Sequence, residues 1–239
     1  MKIRIKFSKT GNLKYIGHLD IMRCFQKVMR RAEVDIAYSA GFSPHQIMSF
    51  ASPLGLGLTS EGEYVDIEVL STQSSETMLQ KINAAMVEGM QALGYVELPE
   101  KAKTAMSVVA AADYRLTFDV PVFAEMKAKF AEFLLQDSIV ITKKTKKQEL
   151  ELEIRPLIFE TQFEEDQENG KTTLFLKLSA GSAANLKPEQ VMDAFCAFAA
   201  IDAETLPYHI HRLEMYADVS KKGEGRKLIP LERMGEMIV

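Results

Sequence analysis

The chain has 239 residues, 29 Lys/Arg against 33 Asp/Glu, a formal net charge of −4 and 47% apolar residues, a globular balance that excludes a disordered or fibrous chain. No apolar run approaches the ~18 residues a membrane span needs, the opening MKIRIKFSKT has no signal-peptide core, and Cys24 and Cys196 are the only thiols, which excludes a disulfide framework and leads us to expect a cytoplasmic protein without a membrane partner. Charge is uneven: residues 1–50 hold nine Lys/Arg against three acids, so the other 189 residues carry ten negative charges in excess, and a basic end of this kind suits phosphate or nucleic acid unless it is only a solvated surface.

Residues 2–7, KIRIKF, alternate Ile3, Ile5 and Phe7 with Lys2, Arg4 and Lys6, the period of a half-buried strand. A turn-rich link leads to 18–33, where Ile21, Phe25, Val28 and Ala32 recur at helical spacing with Met22 and Met29 beside them. Asp20 falls in the first turn, where a carboxylate complements the helix dipole. Glycines and prolines from Gly41 to Gly62 predict loops and short strands. Residues 64–70 alternate as a strand. The stretch 75–93 reads as an amphipathic helix with Ser75 as N-cap and Gly94 just beyond its end, and 95–98 closes the sheet.

After a connector at 99–112 the rhythm restarts. Strands are predicted at 113–120, 138–142, 149–159, 171–179 and 208–216. Helices are predicted at 122–136, with Phe123, Met126, Phe130 and Phe133 or Leu134 inward, and at 188–200, with Pro188 at its first position. The KKTKK run (Lys143 to Lys147) and the EEDQE run read as hairpin tips, and the tail from Val219, with Lys221 and Lys222, as a loose extension. The β-α-β-β-α-β order is the split βαβ plan. The expected fold is α+β: two tandem ferredoxin-like (βαββαβ) units with antiparallel sheets, at 1–100 and 101–218, followed by an extension at 219–239.

Arg23, Lys27, Arg30 and Arg31 lie at i, i+4, i+7 and i+8, so one helix carries a stripe of four cations. A phosphodiester backbone matches such a stripe, and Arg grips phosphate in two bonds; a solvated outer face is the alternative. In the loops, Gly41-Phe42-Ser43-Pro44-His45 combines a pivot, an aromatic that could stack on a base and an imidazole, and Gly55 and Gly57 could offer backbone N–H groups to a phosphate. A plain turn-rich connection is again the alternative. His18 and His45 are candidate general bases for a ribose hydroxyl, or ordinary hydrogen-bonded histidines. His209 and His211 share a strand face at spacing two; they are a two-ligand metal pair or exposed strand histidines. No cofactor is expected, and no metal site.

One segment goes further. His18-Leu19-Asp20, Arg23, Arg30-Arg31-Ala32, Tyr38-Ser39, Gly41-Phe42, Pro44-His45, Pro53-Leu54, Gly57, Ser60 and Glu63-Tyr64 resemble, in order, the motifs of the bacterial radical SAM-linked protein family. Gly17 and Gln46 depart from that pattern. The resemblance implies a domain beside, or fused to, a radical SAM enzyme. The chain is not that enzyme, since it lacks the three closely spaced cysteines of a [4Fe–4S] cluster. At the level of fold it is also similar to the repeat-associated RNA-processing proteins of CRISPR systems. Three functions follow as expectations: a non-catalytic, RNA-binding partner that presents substrate to a radical SAM enzyme; a metal-independent endoribonuclease using His18 or His45; and a protein–protein adaptor without nucleic acid.

Overall fold

A computed structural model describes residues 1–144, 149–165, 171–182, 184–221 and 223–239. The KKTKK run from Thr145 onward, the EEDQE run from Asp166 onward, and Lys222 lie outside the described residues. The chain forms two compact units, Met1–Ala110 with Arg212–Val239, and Ala111–His211.

In chain order come β1 (Lys2–Lys9), α1 (His18–Arg31), β2 (Met48–Phe50), β3 (Thr59–Glu68), α2 (Ser75–Ala85), β4 (Met90–Leu98) and the single-turn α3 (Ala105–Val108). β5 (Val109–Phe118) leads into the second unit, with α4 (Ala124–Leu134), β6 (Val140–Lys144), β7 (Glu149–Glu153), β8 (Ile158–Glu165), β9 (Thr172–Ser179) and α5 (Pro188–Ala199). β10 (Tyr208–Asp218) starts in the second unit and ends in the first, where β11 (Leu228–Pro230) follows.

In the first unit, β4, β1 and β3 pair antiparallel in that order, and β2 lies antiparallel on β3. The end of β10 also flanks β3 and pairs antiparallel with β11. The alternation of β1 decides which face is dry: Ile3, Ile5 and Phe7 are buried with Ile21, Phe25, Val28 and Met29 of α1 and with Met78 and Ile82 of α2. Phe7, Phe25 and Phe50 meet edge to face, with centroids 4.6 Å apart for Phe7–Phe25 and 5.4 Å for Phe25–Phe50, geometry that adds to the gain from burial alone.

The opposite face of β1 is polar, yet it too is covered. Arg4 donates to both oxygens of Asp66 at 2.8 and 3.0 Å and to the Leu231 carbonyl at 3.1 Å. Lys6 reaches Glu214 at 2.7 Å, and the Tyr64 hydroxyl donates to the same carboxylate at 2.5 Å. Burial, then Glu214, push the Tyr64 pKa well up. The tail that the sequence suggests is loose is therefore built in. Leu231 is buried, Glu97 and Glu236 exchange backbone hydrogen bonds, and the Ser75 N–H donates to the Ile238 carbonyl.

In the second unit, the start of β10, then β5, β9 and β8 lie side by side, with β5–β9 and β8–β9 antiparallel, while β6 and β7 form a separate antiparallel hairpin. Phe130 and Phe133 of α4 pack on Phe195 of α5, centroids 4.9 and 5.8 Å apart. The chain is thus a mixed α+β protein with several helices and mostly antiparallel strand pairs.

Several expected elements differ. The helix of 75–93 ends at Ala85, and residues 90–93 open β4, because β1 offers them a strand partner. Gly89 makes the turn between them at φ +85°, and a Cβ there would lie 2.8 Å from the Thr10 carbonyl oxygen. Gly94 is a strand residue rather than a cap. Ser74, not Ser75, caps α2 by accepting from the Thr77 N–H. The strand of 149–159 is broken at Arg155–Leu157, a short 3-10 turn containing Pro156, which has no N–H to give a ladder. Phe123 precedes α4 and is exposed, and Val122 is buried instead.

Candidate functional site

The cation stripe is a consequence of α1's amphipathicity. With Ile21, Phe25, Val28 and Met29 turned inward, Arg23, Lys27, Arg30 and Arg31 are all exposed on the outer side. Lys27, Arg30 and Arg31 together line one open depression. Arg23 instead reaches back one turn to Asp20, 3.0 Å away, a solvated ion pair of little worth that leaves the guanidinium available to a stronger anion. Cys24 lies half-buried on the same helix. Burial raises its thiol pKa, with Arg31 and Lys27 pulling the other way.

The 38–46 loop is tied at its base. Tyr38 and Gln46 form a β-bridge, the Ser39 N–H donates to the His45 carbonyl at 2.9 Å, and the His45 N–H donates to Ser39 Oγ at 3.1 Å. The same hydroxyl lies 2.9 Å from His45 Nδ1, so one ring nitrogen of His45 is engaged in holding the loop. Gln46 is buried and donates to the Gln26 carbonyl of α1 at 3.3 Å, which fastens the loop to the basic helix. At the tip, Gly41 has φ +110° and Phe42 is fully exposed, at 111% relative accessibility.

Gly55 and Gly57 behave differently from each other. Gly57 needs its glycine, with φ +83°, but its N–H already donates to the Lys14 carbonyl at 2.8 Å. It is a loop clamp and not a free phosphate donor, which corrects the sequence expectation for that residue. Gly55 is exposed beside Leu58 and has no positive φ.

His18, the first residue of α1, belongs to a second location. It lines a pocket with Lys9, Glu63, Phe50 and the Ser52–Leu54 segment. Its ring meets Phe50 edge to face at 5.3 Å. Glu63 is held by Arg212, whose Nε and Nη2 donate to its two oxygens at 2.8 and 2.6 Å. Arg212 also donates to the Ser52 carbonyl at 2.9 Å, and Ser60 donates to the Arg212 carbonyl at 3.0 Å. Lys9 is 3% exposed and donates to the Ile16 carbonyl at 3.0 Å. Burial lowers its pKa; Glu63 opposes that shift and Arg212 adds to it.

Lys9, Glu63 and Arg212 are absent from the sequence-based candidates. Two of them carry a readable signal. Lys9 is in phase with Ile3, Ile5 and Phe7, and Glu63 is in phase with Val65, Ile67 and Val69, so each puts a charge on an apolar strand face. The pocket gathers His18, Pro53-Leu54 and Glu63 from motifs far apart in the chain, whereas Phe42 and His45 stand on the separate loop. In the second unit, His209 Nε2 lies 3.1 Å from Asp119, which also pairs with Lys171 at 2.8 Å. Among the described residues, no three His, Cys, Asp or Glu side chains could jointly hold a metal ion, and no helix is long and apolar enough to cross a membrane.

Residues 2–188 match the family described as "Uncharacterized protein conserved in bacteria (DUF2344)". No curated protein matches the chain. Among solved structures, a chain of the "Crystal Structure of a Cbf5-Nop10-Gar1 Complex" is similar, with a TM-score of 0.49 and 8% identity over 89% of this chain and 48% of that one. This chain spans about half the length of that one.

Proposed function

The chain belongs to this bacterial family, and we propose that it is an RNA-binding module that presents its substrate to a radical SAM enzyme without catalysing the reaction itself. The observation that carries this reading is the outer face of α1, where Lys27, Arg30 and Arg31 surround one open depression and Arg23 extends the row. Guanidinium groups grip phosphate oxygens in two bonds, and this surface is wet and unobstructed, so a backbone can lie along it. The Phe42 ring adds a stacking platform, exposed on a loop whose base is fastened to α1 through Gln46. The enzyme partner comes from the resemblance of the 18–64 motifs to the radical SAM-linked family. The strand orders β4-β1-β3-β2 and β10-β5-β9-β8 support reading each unit as ferredoxin-like, with Arg212–Val239 completing the first.

A second reading, metal-independent RNA cleavage, is favoured by one observation: His18 lines a pocket beside Lys9 and Glu63, and its ring makes no hydrogen bond among the described residues. Incubating the full chain with cellular RNA, without metal, and then cross-linking with ultraviolet light separates the two. A presenting module leaves the RNA intact and cross-links through the peptide carrying Phe42. Site-specific cleavage that disappears in His18→Gln supports the second reading instead.

A further inference from the structure

We infer that a pocket on the polar face of the first unit's sheet, beneath the connector at 102–104, binds a free amino acid with an apolar side chain. This goes beyond the RNA-binding reading and does not depend on it.

Strand register builds the floor. Lys2 of β1 lies opposite Glu68 of β3 on one side and Leu98 of β4 on the other, and the Glu68 N–H donates to the carbonyl of Ile47, just before β2, at 3.2 Å. Residues directly opposed in antiparallel strands share a sheet face, so Ile47, Glu68, Lys2 and Leu98 make one row. The connector closes over it: the Lys2 ammonium donates to the Ala102 carbonyl at 3.3 Å, and Ala102, Lys103 and Thr104 line the pocket with that row. The space measures about 130 Å³, close to the ~150 Å³ of a cavity that holds benzene. It has room for a branched aliphatic chain or a single ring.

The charges on this floor are left open. Opposite charges across an antiparallel pair ordinarily attract each other, yet Lys2 turns to an uncharged carbonyl, with two N–H donors to spare. The Glu68 carboxylate and the Ser49 hydroxyl, which also lines the pocket, have no hydrogen bond or ion pair among the described residues. Asp66, the other acid there, is committed: Arg4 donates to both its oxygens, and the Ala105 N–H donates to one at 2.7 Å. The pocket thus offers a carboxylate, an ammonium and a hydroxyl beside the apolar Ile47 and Leu98. A simple anion would be repelled by Glu68, a simple cation by Lys2, and an RNA base would bring its phosphate toward the same carboxylate. A zwitterion satisfies both charges, because opposed Cβ atoms lie about 4.5–5.5 Å apart, a gap that an ammonium and a carboxylate on one carbon can bridge. Its ammonium meets Glu68, its carboxylate meets Lys2 and Ser49, and its side chain packs on Ile47 and Leu98.

The test titrates the full chain with L-leucine by calorimetry while methyl NMR follows Ile47 and Leu98. Saturable binding that shifts both residues is expected. Leucine amide, which lacks the carboxylate, and N-acetyl-leucine, which lacks the ammonium, should each bind at least about tenfold more weakly, the loss of one charge-assisted partner. Glu68→Gln and Lys2→Met, both at half-exposed positions, should weaken leucine to the same degree, and either one reads the site should the other fold poorly. Lys27→Ala/Arg30→Ala/Arg31→Ala should leave leucine binding unchanged, so failure of the α1 reading does not touch this one. Absence of saturable leucine binding, shifts that bypass Ile47 and Leu98, or unchanged affinity in well-folded Glu68→Gln and Lys2→Met proteins overturns the inference. So does cytidine moving these methyls where leucine does not, which would make the pocket a base site.

Discussion

Arg212→Met perturbs the most strongly committed charge pair beside the pocket. The wild-type side chains are almost wholly buried, 5% and 7% exposed for Arg212 and Glu63. The substitution removes two charge-assisted bonds to Glu63, at 2.8 and 2.6 Å, and one to the Ser52 carbonyl at 2.9 Å. Breaking a buried pair from one side costs about 3–5 kcal/mol, chiefly because the remaining charge is left unpaired. Lys9 lines the same pocket and is already under the influence of Glu63, so it can turn toward the carboxylate and recover part of the loss. The expected cost is therefore near the lower limit, about 3 kcal/mol, or a fall in Tm of about 6–12 °C at the 2–4 °C per kcal/mol usual for chains of this length. Urea denaturation is the assay, with the first unit followed by hydrogen exchange in β1 and β3, since two compact units need not unfold together. Glu63→Met combined with Arg212→Met removes both charges and should restore most of the stability. A loss below about 1 kcal/mol in Arg212→Met would refute the reasoning, because it would mean the Glu63 carboxylate is not starved of solvent.

Three other substitutions separate ligand contacts from scaffold. Phe42→Ala should leave thermal unfolding unchanged, since the ring is fully exposed, yet weaken RNA binding about tenfold in a fluorescence-anisotropy titration, the worth of one stacked base. Gly57→Ala should cost roughly 1 kcal/mol in a denaturant titration, because a left-handed φ of +83° strains a side chain even where nothing crowds it, whereas Gly55→Ala, without that φ, should be near neutral.

Periodicity made much of the first unit legible. β1 and α1 announce themselves because their apolar residues recur at two and at 3.6. The end of β4, at 95–98, was legible, but its first half was not, because Met90, Ala92 and Leu93 continue the helical composition of α2, and only pairing with β1, some 80 residues earlier, makes a strand of them. The tail looked loose because the groups that hold it, Arg4, Ser75 and Glu97, are distant in sequence. The site divides the same way. The stripe on α1 is local and could be read; the pocket depends on Arg212, 149 residues from Glu63, and no local pattern marks that residue. Lys9 and Glu63 did carry a mark, a charge in apolar phase, which strand reading by alternation alone passes over. Gly57 shows the converse: its conformational need was visible, while the Lys14 carbonyl that takes its N–H was not.

The most direct test of the RNA-binding surface is the affinity for a single-stranded RNA measured across a range of salt, for the native chain and for Lys27→Ala/Arg30→Ala/Arg31→Ala. At about 0.7 of a unit per phosphate contact on a single strand, the log–log slope should drop by up to about two units in the variant, with affinity falling at low salt. Binding that ignores salt, or a well-folded variant whose slope and affinity match the native chain, would contradict it.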